Sequence, residues 1–170
     1  MLNILICGTP GTGKTTLVER LKPKLPKFNF INLSQFAIEN DCISEYDDKM
    51  ETHVLDEVKL LQKIEPSLKS NKFNLIESIH SDLLSETTID WIFVCRTNNT
   101  RLYDRLKARS YKESKISNNL EAEIFQTILD EAKETFGSER ITELTSNSEK
   151  DVETNVKSIL ERIKLLSDPS

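Results

Sequence analysis

The run Gly8-Thr9-Pro10-Gly11-Thr12-Gly13-Lys14-Thr15-Thr16 carries the clearest chemistry in the chain. It satisfies the pattern G-x-x-x-x-G-K-[ST], with Gly8, Gly13, Lys14 and Thr15 at the fixed positions. Glycines let the backbone turn tightly and keep side chains away from incoming phosphate oxygens. The loop amides then point inward as an anion nest, and a helix opening at the loop's end adds its free N–H groups and positive dipole end. Gly11, Thr12, Gly13, Lys14, Thr15 and Thr16 are therefore the expected nucleotide-binding residues. Lys14 is the cation for the β- and γ-phosphates, and the Thr15 hydroxyl is a ligand for Mg²⁺.

Phosphoryl transfer needs further cations and an acid at the metal. Glu77 ends an apolar run, Phe73–Ser78, and is the expected acid, holding Mg²⁺ directly or through water. His80, just beyond it, is placed to orient a water or relay a proton. Arg105 and Arg109 are four apart, hence on one helix face, and precede a polar segment suited to a lid. A guanidinium can fork to phosphate oxygens or stack on a base. The bland readings are a solvated strand-end glutamate, a surface histidine and an ordinary basic helix end. Asp47, Asp48, Asp56 and Glu57 read as a solvated acidic face.

The elements that must position these residues alternate. Leu2–Cys7 reads as a strand, and the amphipathic stretch after the loop as a helix. Phe28–Leu33 reads as the second strand, with Ser34 capping a short helix through Phe36, Ala37 and Ile38. Asp41 to Asp48 reads as an acidic, mobile stretch. A long helix is expected from about Val54 to Leu68, on a stripe of Val54, Val58, Leu61 and Ile64, with Pro66 straining its last turn or ending it early. Phe73–Ser78 and Ile89–Arg96 are the next strands, the latter buried on both faces. A helix carries Leu102, Leu106 and Arg109. Asn118 and Glu121 look like a capping box for the next helix, with Leu120, Ile124 and Ile128 on one face. Arg140–Leu144 is a weaker fifth strand, and Val152 to Ile163 trace a closing helix. The expected fold is α/β: a parallel five-stranded sheet with helices on both faces and the loop at the strands' carboxyl ends.

At 170 residues, 37% hydrophobic and 30% charged, the chain is expected to form one soluble domain with a proper core. A net charge of −5 argues against broad nucleic-acid binding. Cys7, Cys42 and Cys95 are widely spaced and read as reduced thiols, with core roles for Cys7 and Cys95. No stretch approaches transmembrane length, and with a strand at the opening no signal peptide is expected.

Beyond the loop, the series Val94-Cys95-Arg96-Thr97, Leu102-Tyr103-Asp104-Arg105-Leu106, Ala108-Arg109-Ser110-Tyr111 and Leu120-Glu121-Ala122-Glu123-Ile124 resembles the adenylate kinase isoenzyme 6 family, also called the coilin-interacting nuclear ATPase. The likeness covers nearly the whole chain. It implies an adenylate-kinase-like P-loop fold, with a monophosphate-binding part at about 32–55 and a short lid at about 108–118. It implies ATP + AMP ⇌ 2 ADP with Mg²⁺, an ATPase activity, a role in small-subunit ribosome assembly with a ribosomal protein partner, and residence in nucleus and cytoplasm. Arg109 would be the lid arginine on the ATP phosphates. The chain departs from the family's pattern at Glu77 in place of Asp, at His80 displaced by one residue, at Ile38 where an arginine is expected, and at Ser110 in place of Gly. The alternative reading is an ATP-driven assembly factor with weak or vestigial kinase chemistry. A kinase for another small metabolite fits the family-wide run less well. An AAA-type ATPase shares the loop, although the chain is short for that group's usual extra helical domain.

Overall fold

The first strand, β1 (Leu2–Cys7), is buried at all six positions and feeds the loop directly into α1 (Lys14–Leu21). The computed structural model describes residues 1–49 and 51–167. The chain continues through β2 (Asn29–Asn32), α2 (Leu33–Glu39), β3 (Ile43–Asp47), β4 (Thr52–Leu55), α3 (Glu57–Ser70), β5 (Phe73–Ser78) and β6 (Trp91–Arg96). Then come α4 (Asn99–Ala108), α5 (Glu113–Ile124), α6 (Thr127–Phe136), β7 (Ile141–Thr145) and α7 (Glu149–Ser167).

Five strands form one parallel sheet in the order β2-β5-β1-β6-β7, so β1 lies at its centre. Alternating strand residues feed two apolar layers. Leu5, Cys7, Ile76, Ile92 and Val94 face α2, α3 and α6, through residues such as Ala37, Ile64 and Phe136. Ile4, Ile6, Leu75, Phe93 and Cys95 face α1 and α7, through Leu17, Leu21, Val156 and Ile159. Helices thus cover both faces, as an all-parallel sheet requires. Leu102, Leu106 and Ile116 make a third, small cluster between α4 and α5. The three cysteines are buried and free.

Several local expectations are corrected. The acidic stretch, in which no strand is expected, contains one: β3 pairs antiparallel with β4, Tyr46 opposite His53, their rings 5.2 Å apart. Its carboxylates stand on the solvent side and hide the strand pattern. That hairpin consumes Thr52–Leu55, so α3 begins at Glu57, where Asp56 accepts a hydrogen bond from the Lys59 amide at 3.0 Å. The buried stripe of α3 is Leu60, Ile64 and Leu68, while Val58 is 68% exposed. Pro66 does not end α3; it sits on the exposed face, where its missing N–H frees a carbonyl toward water.

Asn32, not Ser34, caps α2, accepting from the Gln35 amide at 3.0 Å. Asn118 and Glu121 lie inside α5, which starts at Glu113, so they do not stand at a helix N-terminus. The break comes at Gln126, with φ 57, and Ile124 is left 54% exposed, so Leu120, Ile124 and Ile128 do not share a buried face.

Candidate active site

The loop between β1 and α1 has the backbone its glycines require. Gly8 has φ 150, and a Cβ there would lie 2.6 Å from the Cys95 carbonyl oxygen. Gly13, at φ 88 and ψ 15, takes the left-handed conformation just before α1 and provides no side-chain cap. The N–H groups of the first turn of α1 have no partner within the helix. They converge with the dipole on one anion-binding position.

Lys14 is buried, and its ammonium donates to the Gly8 carbonyl at 2.6 Å and the Thr9 carbonyl at 3.1 Å. Burial pulls its pKa below the usual lysine value. Thr15 donates its hydroxyl to Glu77 Oε1 at 2.5 Å. The register explains the meeting: Ile6 of β1 pairs with Glu77 of β5, which puts the carboxylate beside the start of α1. Two hard oxygen donors side by side suit Mg²⁺, which takes one or two protein ligands and keeps phosphate and water for the rest. Thr15 and Glu77 are thus the residues that would hold it.

These groups open onto a cleft of about 640 Å³, lined by Lys14, Thr15, Thr16, Glu77, His80, Arg109 and Lys115 among others. His80 is half-buried; desolvation lowers its pKa, Asp82 and Glu57 opposing. Arg109 ends α4 and is exposed at the rim. Arg105 is one turn back and plays a different part. Its guanidinium lies behind the loop, donating to the Gly11 carbonyl at 3.2 Å and the Thr97 hydroxyl at 3.3 Å. A second groove, of about 540 Å³, runs past Gly11, Gly13, Arg105, Arg109, Ser146 and Asn147. Arg109 lines both spaces, so it stands between a phosphate position and a flat site beside it.

The segment 108–118 holds the end of α4, the connection 109–112 and the first half of α5. Ser110 has φ 58, the left-handed turn that a glycine would take more easily. The tip of the β3–β4 hairpin reaches this segment. Lys112 Nζ lies 2.7 Å from the Glu51 carboxylate, and Lys115 Nζ donates to the Glu51 carbonyl at 2.7 Å while sitting 4.2 Å from the Tyr111 ring centre. The cleft is therefore bridged along one rim.

Sequence reasoning missed Lys115, Glu51, Thr9 and Glu123. Glu123 is 3% exposed and accepts from the Thr9 hydroxyl and from Arg96 Nε, each at 2.7 Å, and from the Thr97 amide at 3.1 Å. A signal was present: Glu123 follows buried Ile116 by two turns, a carboxylate where the stripe calls for an apolar residue.

Residues 4–126 match the model of the AAA domain. That match spans the sheet-and-loop core from β1 to the end of α5. The chain is 39% identical over 158 residues to "Adenylate kinase isoenzyme 6 homolog FAP7" of Saccharomyces cerevisiae, covering 93% of this chain and 80% of the relative. It is 40% identical to "Adenylate kinase isoenzyme 6 homolog" of Drosophila melanogaster, with coverage of 92% and 89%. For the Caenorhabditis elegans protein of that name the identity is 41% and the coverage 94% and 87%. The crystal structure of shikimate kinase from Bacteroides thetaiotaomicron superposes with a TM-score of 0.63 at 16% identity, covering 96% of this chain and 99% of that one, a likeness of fold alone. With an AAA-domain core and this identity over more than nine-tenths of its length, the chain belongs to the adenylate kinase isoenzyme 6 family.

Proposed function

We propose that the protein transfers the γ-phosphoryl group of ATP to AMP, giving two ADP, and hydrolyses ATP when no acceptor is seated. The observation that carries this reading is the sharing of one cleft by Lys14, the Thr15–Glu77 pair and Arg109. The loop amides and Lys14 hold the β- and γ-phosphates, and Lys14 turns from its two carbonyl partners to the phosphoryl oxygens as charge builds there. Thr15 and Glu77 would hold Mg²⁺, which would supply positive charge to offset that on the transferring phosphates. Arg109 closes on the same phosphates, while Arg105 keeps the back of the loop in place. The second groove, beside Gly13 and Asn147, accepts the base. Burial keeps His80 neutral at pH 7, a form able to accept a hydrogen bond from water or the acceptor.

The test is a coupled assay for ADP formation with AMP, CMP, GMP and UMP. Acceleration of ATP consumption by AMP supports the proposal, and turnover indifferent to every monophosphate refutes it.

One observation favours the second reading, an ATP-driven assembly factor. The cleft wall made by α2, the hairpin, the start of α3 and the segment after β5 presents Ser34, His53, Glu57, His80 and Asp82, and no lysine or arginine of those elements lines it among the described residues. Ile38 of α2 is 47% exposed. An acceptor phosphate would then depend on cations from the loop and lid side. The exposed acidic hairpin suits a basic protein such as a small-subunit ribosomal protein. Pull-down with recombinant small-subunit proteins, with and without ATP, tests that reading; binding to none of them removes it.

A further inference from the structure

We infer that Glu123 is a positioning residue for phosphoryl transfer, and that it acts through Thr9 on the phosphate loop. The inference rests on the kinase reading above for its turnover measurement. Its structural part stands alone.

The two oxygens of this buried carboxylate have separate tasks. Oε1 accepts from Arg96 Nε and from the Thr97 amide, both at the end of β6. The Glu123 backbone carbonyl accepts from Arg96 Nη2 at 3.0 Å. These bonds tie α5 to the end of β6. Oε2 has a different partner, the Thr9 hydroxyl at 2.7 Å. Thr9 is itself the joint of the loop: its carbonyl accepts from the Thr12 hydroxyl at 2.7 Å, the Thr12 amide at 3.2 Å and Lys14 Nζ at 3.1 Å. One oxygen therefore serves the fold, and the other fixes the residue against which Lys14 rests.

The same helix reaches the cleft at its other end. Lys115 is eight residues before Glu123, roughly 12 Å along the axis at 1.5 Å per residue. It lines the cleft and meets the hairpin at Glu51. Glu123 thus anchors the lid helix at the point where that helix touches the loop. Movement of the lid end pivots about a carboxylate bonded to Thr9, so lid position and loop geometry are mechanically joined. An apolar side chain would fill the space without making the joint. A buried carboxylate is justified by its partners, since Arg96 neutralises its charge and each oxygen is hydrogen-bonded.

Thr9→Val separates the two tasks. It removes the hydroxyl and leaves Glu123, Arg96 and Thr97 bonded to one another. We would compare wild type, Thr9→Val, Thr9→Ser, Glu123→Gln and the Thr9→Val/Glu123→Gln double variant. Two readouts are needed: steady-state kinetics with ATP and AMP, and hydrogen exchange of the Gly11–Thr15 amides without nucleotide. Thr9→Val is expected to lower kcat by roughly 10- to 100-fold, the scale of an ångström-sized misplacement, with KM for AMP nearly constant. It should also speed exchange at the loop amides and spare β6. Thr9→Ser, which keeps the hydroxyl, should recover most of the lost turnover. The double variant should be no slower than the slower single one, because both cut the same link. Thr9→Val with wild-type kcat and wild-type loop exchange would overturn the inference, as would full additivity in the double variant. If the wild type turns over no nucleotide, the proposed reaction fails, and the exchange measurement alone decides for or against Glu123.

Discussion

Lys14→Met is expected to make the nucleotide-free protein at least as stable as wild type while removing its activity. The ammonium is buried, and its hydrogen-bond partners are two carbonyls rather than a carboxylate. Desolvating such an ion costs several kcal/mol. Two hydrogen bonds to a charged donor return about 1.5–3 kcal/mol each. Methionine keeps a flexible unbranched chain and removes both contributions. By analogy with buried ions exchanged for apolar residues, we expect a gain of roughly 1–2 kcal/mol. For a chain of this length that is about 2–8 °C in Tm.

The dependence on pH has a definite sign. Burial lowers the folded-state pKa of Lys14 below the ordinary 10.5. Below the folded value both states are protonated and the penalty is present in full. As pH rises from the folded value to 10.5 the folded form sheds its proton first, and wild-type stability recovers. The advantage of Lys14→Met should therefore shrink across that window. Activity moves the other way: losing one preorganised charge at the transferred group costs about 3–4 kcal/mol, or 10²- to 10³-fold in kcat. Differential scanning fluorimetry with and without MgATP, beside a coupled ATPase assay, reads both quantities. A variant that melts well below wild type, or that keeps turnover within tenfold, refutes the reasoning.

Arg109→Ala should raise KM for ATP and lower kcat with Tm unchanged within about 2 °C, since the side chain is exposed and surface substitutions stay within about 0.5 kcal/mol; wild-type kinetics would remove it from the site. Glu77→Ala should shift the magnesium dependence of turnover to higher concentration by roughly tenfold, the lower end of the range for groups that orient a metal's ligands; a titration superimposable on wild type would dismiss it as a ligand. Gly8→Ala should destabilise by about 1–3 kcal/mol in urea unfolding, because its Cβ would meet a backbone oxygen that cannot step aside. His80→Gln should flatten the acid limb of stability. The folded pKa of His80 lies below the ordinary 6.5, so the unfolded chain takes up the proton first as pH falls past 6.5, and wild type loses stability there until the folded group also titrates. Identical pH–Tm curves for the two proteins would show that His80 has no such part.

The strand–loop–helix unit at residues 2–21 was legible because three independent signals agree there: an apolar run, fixed glycines, and a following amphipathic helix. The inner strands β5, β1 and β6 announced themselves for a related reason, since burial on two faces leaves little choice but apolar residues, whereas the half-exposed edge strand β7 gave a weaker signal. The β3–β4 hairpin was not legible. Off the main sheet its composition is set by solvent, and Glu45, Asp47 and Asp48 mask the pairing of Ile43 with Leu55. Glu77 was found because register alone carries it to Thr15. Glu123 was not, because its meaning lies in partners 114, 27 and 26 residues away that no local pattern joins. Arg105 shows the intermediate case: helical spacing pairs it with Arg109, yet one turn of difference sends one guanidinium behind the loop and the other to the rim.

The place of β1 in the middle of the sheet has a consequence for how the molecule fails. Its amides are shielded by a strand on each side, and such segments exchange only on global opening. The hairpin and the 109–112 connection lie off the sheet and are joined by exposed Lys112, with half-buried Lys115 of α5 beside it. Warming should loosen those parts first and leave the phosphate cradle standing. Turnover would then fade at temperatures where a triphosphate is still gripped, and the gap between the two losses would measure how much of the enzyme's chemistry resides in its periphery.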